Sequence, residues 1–343
     1  MKSMMPDIVG NNKIKYHVCQ NILTDSLPHA LIIEGAHGTG KHTAAFTAAA
    51  ALGCEKKQDE NAPIPCGCCP SCIKILDKKS PDVIVIGSEG KASIGVESIR
   101  FLKEDVHLGP NDTASKVYII EDADKMTPQA QNALLLTLEE PPYYVHFFLL
   151  CENADSLLET IRSRAPIFRT EPISAEDIDD YISKKDSRAA QMKLSSPQSY
   201  KRLIMASQNG IGSALEFLDP KRFAPVMENI NLAEEFIEAA IGRCAKRNVF
   251  PLLARFSSKR DVLKLQLSFA SDAIRDLILL KESDSAPLRF YCDRDMAIEL
   301  CDRNTLSALF NINNAIDTAI DENSRNANVR LLMTKLFCSV NLI

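Results

Sequence analysis

Several groups of residues in this chain have types and spacings that suit chemistry. The first is Gly35-Ala-His-Gly38-Thr39-Gly40-Lys41-His42-Thr43. Gly35, Gly40 and Lys41 meet the phosphate-loop spacing G-x-x-x-x-G-K-[ST]. In that motif backbone N–H groups surround phosphate oxygens, the following helix adds its positive end, and the lysine reaches the β and γ phosphates. The residue after the lysine should carry the hydroxyl that ligates magnesium, and here it is His42. Thr43 comes one residue too late, since a helix turns it about 100° away. Imidazole is also a poor ligand for Mg2+, which prefers oxygen. The segment is expected to hold ATP but to be poorly built for hydrolysing it. A glycine turn that binds nothing is the plainer alternative.

The second group is Val117-Tyr-Ile-Ile-Glu121-Asp122, an apolar strand ending in carboxylates. At a nucleotide site one such acid holds the metal's water shell and the next polarises the attacking water. The usual order is Asp then Glu. Reversing it moves each carboxylate by about one methylene, a misplacement that can be costly in rate. A solvated acidic strand end would need no such role. The third group is Cys66-Gly-Cys68-Cys69-Pro-Ser-Cys72, with Cys54 before it. Cys54, Cys66, Cys69 and Cys72 suit tetrahedral zinc, and a closed shell of four thiolates is structural, not catalytic. Cys68 is a fifth candidate, expected to point away. Reduced free thiols are the alternative. The remaining cysteines sit in apolar contexts and are expected in the core. Last comes Glu159-Thr-Ile-Arg162-Ser-Arg164, where an arginine at a domain edge could reach a neighbour's γ-phosphate. Most surface arginines are merely solvated.

These groups need elements to position them. His29–Glu34 is a short apolar run, and Thr43–Leu52 is an Ala-rich helix former, so strand, loop and helix follow in the order the motif requires. Further strands are expected at Asp82–Ile86, Lys116–Ile120 and His146–Cys151. Helices are expected at Lys13–Ile22, Val96–Val106 and Pro128–Glu139. Alternating strands and helices imply a parallel sheet covered on both faces. The alternation ends near Phe168. Residues 171–220 look helical, with starts at Ser174 and Ser196-Pro197 and a mobile loop at Lys184–Ala190. Beyond 222 everything looks helical: Met227–Lys246, Pro251–Phe256, Asp261–Lys281, Arg294–Cys301, Leu306–Glu322 and Asn328–Val340.

Bulk properties narrow the class. A chain of 343 residues, 45% hydrophobic and 25% charged, is an ordinary globular composition of two or three domains. A net charge of −5 argues against a free-standing nucleic-acid binder. No apolar run reaches the roughly 18–20 residues of a membrane span, and no signal-peptide core opens the chain, so a cytoplasmic location without membrane contact is expected.

Together these pieces resemble the clamp-loader branch of the AAA+ ATPases. The likeness spans essentially the whole chain and is strongest over residues 5–220. Thr127-Pro-Gln-Ala-Gln-Asn-Ala-Leu-Leu-Leu-Thr-Leu-Glu-Glu-Pro-Pro142 is similar to a specific segment of that family, and the four cysteines match its inserted zinc module. Thr160-Ile-Arg-Ser-Arg164-Ala165 is similar to its arginine-finger motif, with Ala165 where cysteine is usual. The resemblance implies a RecA-like AAA+ domain at 1–170 with a zinc module at 54–72. It implies a small helical lid at 171–220 and an all-α collar at 221–343 that joins subunits in a ring.

It also implies structural Zn2+, a loop (Gly35, Gly38, Thr39, Gly40, Lys41, His42, Thr43) that can bind ATP with Mg2+ doubtful, and Arg164 as a finger acting in trans. The implied partners are gamma or tau and delta subunits, and, through the complex, the sliding clamp and primed DNA. Hydrolysing members carry Ser or Thr after the loop lysine, an Asp-Glu pair and a lid arginine. This chain has His42, Glu121-Asp122 and, at the lid position, Gly212. That combination resembles the family's delta-prime branch, whose members complete a neighbour's site and whose own ATPase activity is weak or absent. A gamma/tau-type ATPase working at its own site and a zinc-stabilised scaffold outside replication are the alternatives.

Overall fold

A computed structural model describes residues 4–6, 8–88, 93–208, 210–241, 251–325 and 327–341. They form two compact units, Met1–Tyr181 with Asn209–Ser213, and Ile182–Gln208 with Ala214–Ile343.

The first unit is built on strands β1 (Ala30–Glu34), β2 (Val83–Ile86), β3 (Lys116–Ile120), β4 (Val145–Cys151) and β5 (Ile167–Arg169). They form one parallel sheet in the order β2-β3-β4-β1-β5. β1, β3 and β4 are nearly continuous apolar runs because both faces of the sheet are covered. Leu31 and Ile33 of β1 pack in one cluster with α1 (Asn12–Leu23), α2 (Lys41–Leu52) and the cysteines. Ile32, one residue on, faces the opposite cluster, formed with α4 (Val96–Asp105) and α5 (Pro128–Glu139). Between α2 and α4 lies the short α3 (Pro70–Leu76), and after β4 comes α6 (Glu159–Arg162). Parallel strands place all their carboxyl ends on one edge, where such sheets form their sites. The loop after β1 and the acids after β3 are therefore on the same edge, with β4 between their strands.

A carboxylate at the start of β2 fixes the chain below this edge. Asp82 is fully buried and accepts backbone N–H groups of Asn111, Asp112 and Thr113 at 2.6–2.8 Å, with the Thr113 hydroxyl at 3.1 Å. Burial pushes its carboxyl up, but these donors outweigh burial and hold it below the usual aspartate range. Its stabilisation is therefore present above the unfolded-state pKa of about 3.9 and is lost as pH falls through the lower folded value. Asp82→Ala strands three buried donors. We expect it to lower unfolding free energy by about 3 kcal/mol in urea titrations at neutral pH, and by progressively less in acid.

The second unit, taken by itself, is helical. The long helices Pro220–Ile241, Arg260–Glu282 and Leu306–Ser324 bury Phe236, Leu267, Ile274, Leu277, Ile312 and Ile316. In its loop 289–291, three backbone N–H groups converge on the buried Asp276 at 2.7–3.1 Å. No helix among the described residues is long and apolar enough to cross a membrane.

Several expectations need correction. The alternation does end near Phe168, but with a short fifth strand, β5 beside β1, that was not expected. Lys184–Ala190 is not a loop. One helix runs Ala175–Lys185 and the next Ser187–Ser195, with Asp186 between them accepting the Arg188 N–H at 2.9 Å as a cap. The helix expected from Met227 begins at Pro220, whose missing N–H costs nothing at a first helical position. Its expected end at 242–246 lies outside the described residues. Of the expected helix Pro251–Phe256, residues 251–253 are helical and 254–256 are not. Cys19, Cys151 and Cys301 are buried as expected, but Cys292 is half-buried and Cys338 is exposed on the helix Val329–Asn341. Cys244 lies outside the described residues.

Candidate functional site

The loop from Gly35 to Gly40 joins the end of β1 to the start of α2, with Gly38 and Gly40 at φ 76° and 91°. Such angles are open to glycine and strained for other residues. Gly38 has a second constraint, since a Cβ there would stand 2.2 Å from the Ser213 Oγ. Lys41 is buried, and its Nζ donates to the carbonyls of Gly35 and Ala36 within the loop. Burial pulls it below the usual lysine value, while Glu152, Cys151, Asp124 and Asp122 act in the opposite sense.

The Thr39 hydroxyl donates to the Ala36 carbonyl at 2.8 Å and accepts from Thr170 at 3.0 Å. Asn11, also buried, donates to the Thr39 carbonyl at 3.3 Å and accepts the Glu171 N–H at 2.7 Å, tying the loop to the segment after β5. Neither Asn11 nor Thr170 stood out in the sequence. The only signal at Asn11 was the turn composition Gly10-Asn11-Asn12.

His42 and Glu121 meet. The His42 Nδ1 lies 2.9 Å from the Glu121 Oε1. Asp122 adopts left-handed backbone, φ 51°, and its Oδ2 takes the Lys125 ammonium at 3.0 Å. The two acids are thus turned to different partners. The Asp124 Oδ1 is buried with no hydrogen-bond partner, and burial raises the proton affinity of that carboxyl. Thr43 is exposed. These donors do not suit Mg2+. No hydroxyl follows Lys41, imidazole is a poor magnesium ligand, and both acids after β3 are paired. At the lid position the Gly212 N–H donates to the Gly38 carbonyl at 3.0 Å, and a Cβ on Gly212 would come within 3.1 Å of the Gly38 Cα. Backbone rests on backbone there.

The Sγ atoms of Cys54, Cys66, Cys69 and Cys72 all lie within 4.8 Å of one another. A tetrahedral zinc with Zn–S bonds of about 2.3 Å would set sulfur–sulfur separations near 3.8 Å, so the group fits a zinc ion. Cys69 caps α3, its sulfur accepting the Cys72 N–H at 3.4 Å. Burial pushes the Cys66 thiol up, but the N–H groups of Cys68 and Cys69 outweigh it and bring it down to about 6. Cys68 is exposed, outside the group of four, with its Sγ 3.7 Å from the Cys66 Sγ.

Arg164 stands just after α6 with its guanidinium partly exposed. Its Nη2 bonds the Glu139 Oε1 at 2.6 Å and its Nη1 the Thr160 carbonyl at 2.9 Å. The neighbouring Arg162 pairs with Asp155 at 2.6 Å. Two residues of the Thr127–Pro142 segment locate this region. Glu139 holds Arg164, and the buried Gln131 accepts the Leu158 N–H at 2.8 Å while donating to the Met126 carbonyl at 3.2 Å. The segment had stood out as a family signature without either contact being foreseeable.

Residues 10–174 match the family described as DNA polymerase III, delta subunit. Over 137 residues the chain is 39% identical to the DNA polymerase III subunit delta' of Yersinia pestis, covering 40% of this chain and 39% of that one. Over 224 residues it is 31% identical to the subunit delta' of Bacillus subtilis (strain 168), covering 65% and 62%. These matches make the chain similar to clamp-loader subunits of DNA polymerase III. A further clamp-loader relative is the subunit tau of Bacillus subtilis (strain 168), 32% identical over 216 residues, which are 62% of this chain and 37% of tau. The chain therefore spans 37–62% of the length of these three relatives. The phosphate loop, the acids and Arg164 all belong to the first unit.

Proposed function

We propose that the chain is a delta-prime-type subunit of a DNA polymerase III clamp loader. On this reading it is a stator-like member of a hetero-oligomeric ring with gamma or tau and delta subunits. It donates Arg164 to a neighbour's ATP site and helps place the sliding clamp on primed DNA. The observation that carries the reading is a contrast within one unit. His42, which offers no hydroxyl, is bonded to Glu121 and Asp122 to Lys125, so the chain's own site is poorly built for hydrolysis, whereas Arg164, paired with the exposed Glu139, keeps the residue of the finger motif at the surface. A subunit that hydrolyses nothing but completes a neighbour's site needs the second feature and tolerates the first. In this reading the AAA+ domain is 1–170, the lid 171–220 and the collar 221–343. The exposed Phe310 and Leu331 of the collar are suited to ring contacts. The cytoplasm, where replication takes place, is the matching location.

The test is ATP turnover by a loader reconstituted with clamp and primed DNA, comparing the natural chain with Arg164→Ala. A loss supports the reading, and unchanged turnover sinks it. A second reading, a gamma/tau-type ATPase, draws on the likeness to tau. Steady ATP turnover by the isolated chain, abolished by Lys41→Ala, would favour it. We expect the isolated chain to show none.

A further inference from the structure

We propose that Cys68 is an oxidation site, at which a peroxide joins Cys66 and Cys68 in a disulfide and so strips one ligand from the cysteine group. The proposal rests on that group as a zinc site. It is independent of Arg164 and of any ring.

Two sulfurs of unequal access meet here. Cys68 is exposed, and its Sγ stands 3.7 Å from the Cys66 Sγ. Of the four ligand candidates, Cys54, Cys69 and Cys72 are buried and Cys66 is only half-buried. The thiol that meets solvent therefore touches the one ligand that is not shut away. Its side chain is also held in place, since the Lys56 Nζ donates to the Cys68 Sγ at 3.7 Å. A tetrahedral shell is complete with four sulfurs, so the fifth is available for other chemistry.

The backbone permits the bond. Two residues of chain span at most about 7 Å between Cα atoms, and a disulfide needs about 4.4–6.8 Å. Gly67, between the two cysteines, has φ 69°, a left-handed turn that shortens the span. A Cβ on Gly67 would meet nothing within 4 Å, so the turn lies in open space. It can adjust as the sulfurs close to a bond of about 2.05 Å.

The chemistry balances with hydrogen peroxide as the oxidant. The Cys68 sulfur attacks one peroxide oxygen. An S–O bond forms, the O–O bond breaks, and the departing hydroxide takes the thiol proton and leaves as water. The Cys66 sulfur then attacks the Cys68 sulfenic acid. The S–S bond forms, the S–O bond breaks, and the second hydroxide takes a proton from solvent. Two sulfurs have given up two electrons, and one peroxide has become two waters. The Cys66 electron pair now lies in the disulfide, and the ion is left with three sulfurs.

The experiment treats the full zinc-loaded chain with hydrogen peroxide. Released zinc is followed with a colorimetric chelator, and remaining thiols are alkylated for peptide mass mapping. The natural chain should release its zinc. Cys66 and Cys68 should then be the unlabelled cysteines of their peptide, with Cys69 and Cys72 labelled. Dithiothreitol with added zinc should restore the group. Cys68→Ser should hold as much zinc before peroxide and release it about tenfold more slowly, because the accessible sulfur is gone. Cys338→Ser removes an exposed cysteine of the second unit and should release zinc at the natural rate.

Release from Cys68→Ser at the natural rate would overturn the proposal. So would a label pattern that joins Cys69 to Cys72, or oxidation of Cys68 with the zinc retained. A natural chain without zinc at the start would overturn it through its premise, and the zinc content before peroxide tells that case from the others. None of these results bears on the Arg164 test.

Discussion

A loader reconstituted with the Arg164→Ala chain should turn over ATP at least tenfold more slowly than the natural assembly, with clamp and primed DNA present. Arginine fingers supplied in trans are worth about 10³–10⁵ at the site they complete. The smaller figure allows for other sites in the ring that keep their own arginines. The competing explanation is that alanine damages the chain. It fails on magnitude. Arg164 is partly exposed, and its pair with Glu139 is a surface ion pair of the kind worth about 0–1 kcal/mol. Losing that pair cannot unfold a unit whose central strands β1, β3 and β4 are buried on both faces, so thermal melting of Arg164→Ala should stay near that of the natural chain.

Two further variants separate position from charge. Glu139→Gln removes the ion pair and keeps the guanidinium, so it should slow turnover far less than Arg164→Ala. Arg164→Lys keeps the charge but loses the planar fork that meets phosphate oxygens in two places, and should recover little. If Glu139→Gln matched Arg164→Ala, the arginine would act only by bracing its own chain, and the finger assignment would fall.

The pattern of what the sequence disclosed follows from the range of the interactions. Strands β1, β3 and β4 were legible because both their faces are buried, which leaves unbroken apolar runs bounded by turn residues. β5 was not, because a strand of three residues, Ile167–Arg169, carries no period of its own and is held by its pairing with β1. Lys184–Arg188 is an unbroken polar run, and polarity suggested a loop. A single aspartate, Asp186, capping the next helix outweighed composition. The chemical motifs were legible for a different reason, since each is a short spacing rule. Their partners were not. His42 and Glu121 are 79 residues apart, and nothing in either segment names the other. The same holds for Arg164 and Glu139, and for Asn11 and Thr39. A reading by spacing could say that His42 was wrong for magnesium. It could not say that the ring would take the acid for itself.

Loss of the metal from the cysteine group should cost more stability than any surface substitution in this chain. As isolated, the chain should carry one zinc, measured by a colorimetric chelator after denaturation. Cys72→Ser should carry almost none. Cys72 is completely buried in the cluster that also holds α2, Ile64 and Ile75, so its sulfur is bonded to the metal or is a thiol against apolar walls. Burial pushes that thiol strongly up, so without an ion it stays protonated and contributes no charge to hold its neighbours.

Structural zinc sites in small peptides are worth about 10–16 kcal/mol. Here the sheet folds on other contacts as well, and a deficit of about 3 kcal/mol or more in urea unfolding is the expected share, in line with the loss of a metal or disulfide elsewhere. Cys68→Ser is the control. Its sulfur lies close to Cys66 but outside the group of four, so both zinc content and stability should be unchanged. If Cys68→Ser lost zinc and Cys72→Ser kept it, the ligand set would be wrong. If the natural chain held no zinc even when grown and purified with it, the four thiols would be a reduced cluster packed for its shape alone. The Cys72→Ser deficit would then shrink to that of a single small buried side chain, about 1 kcal/mol.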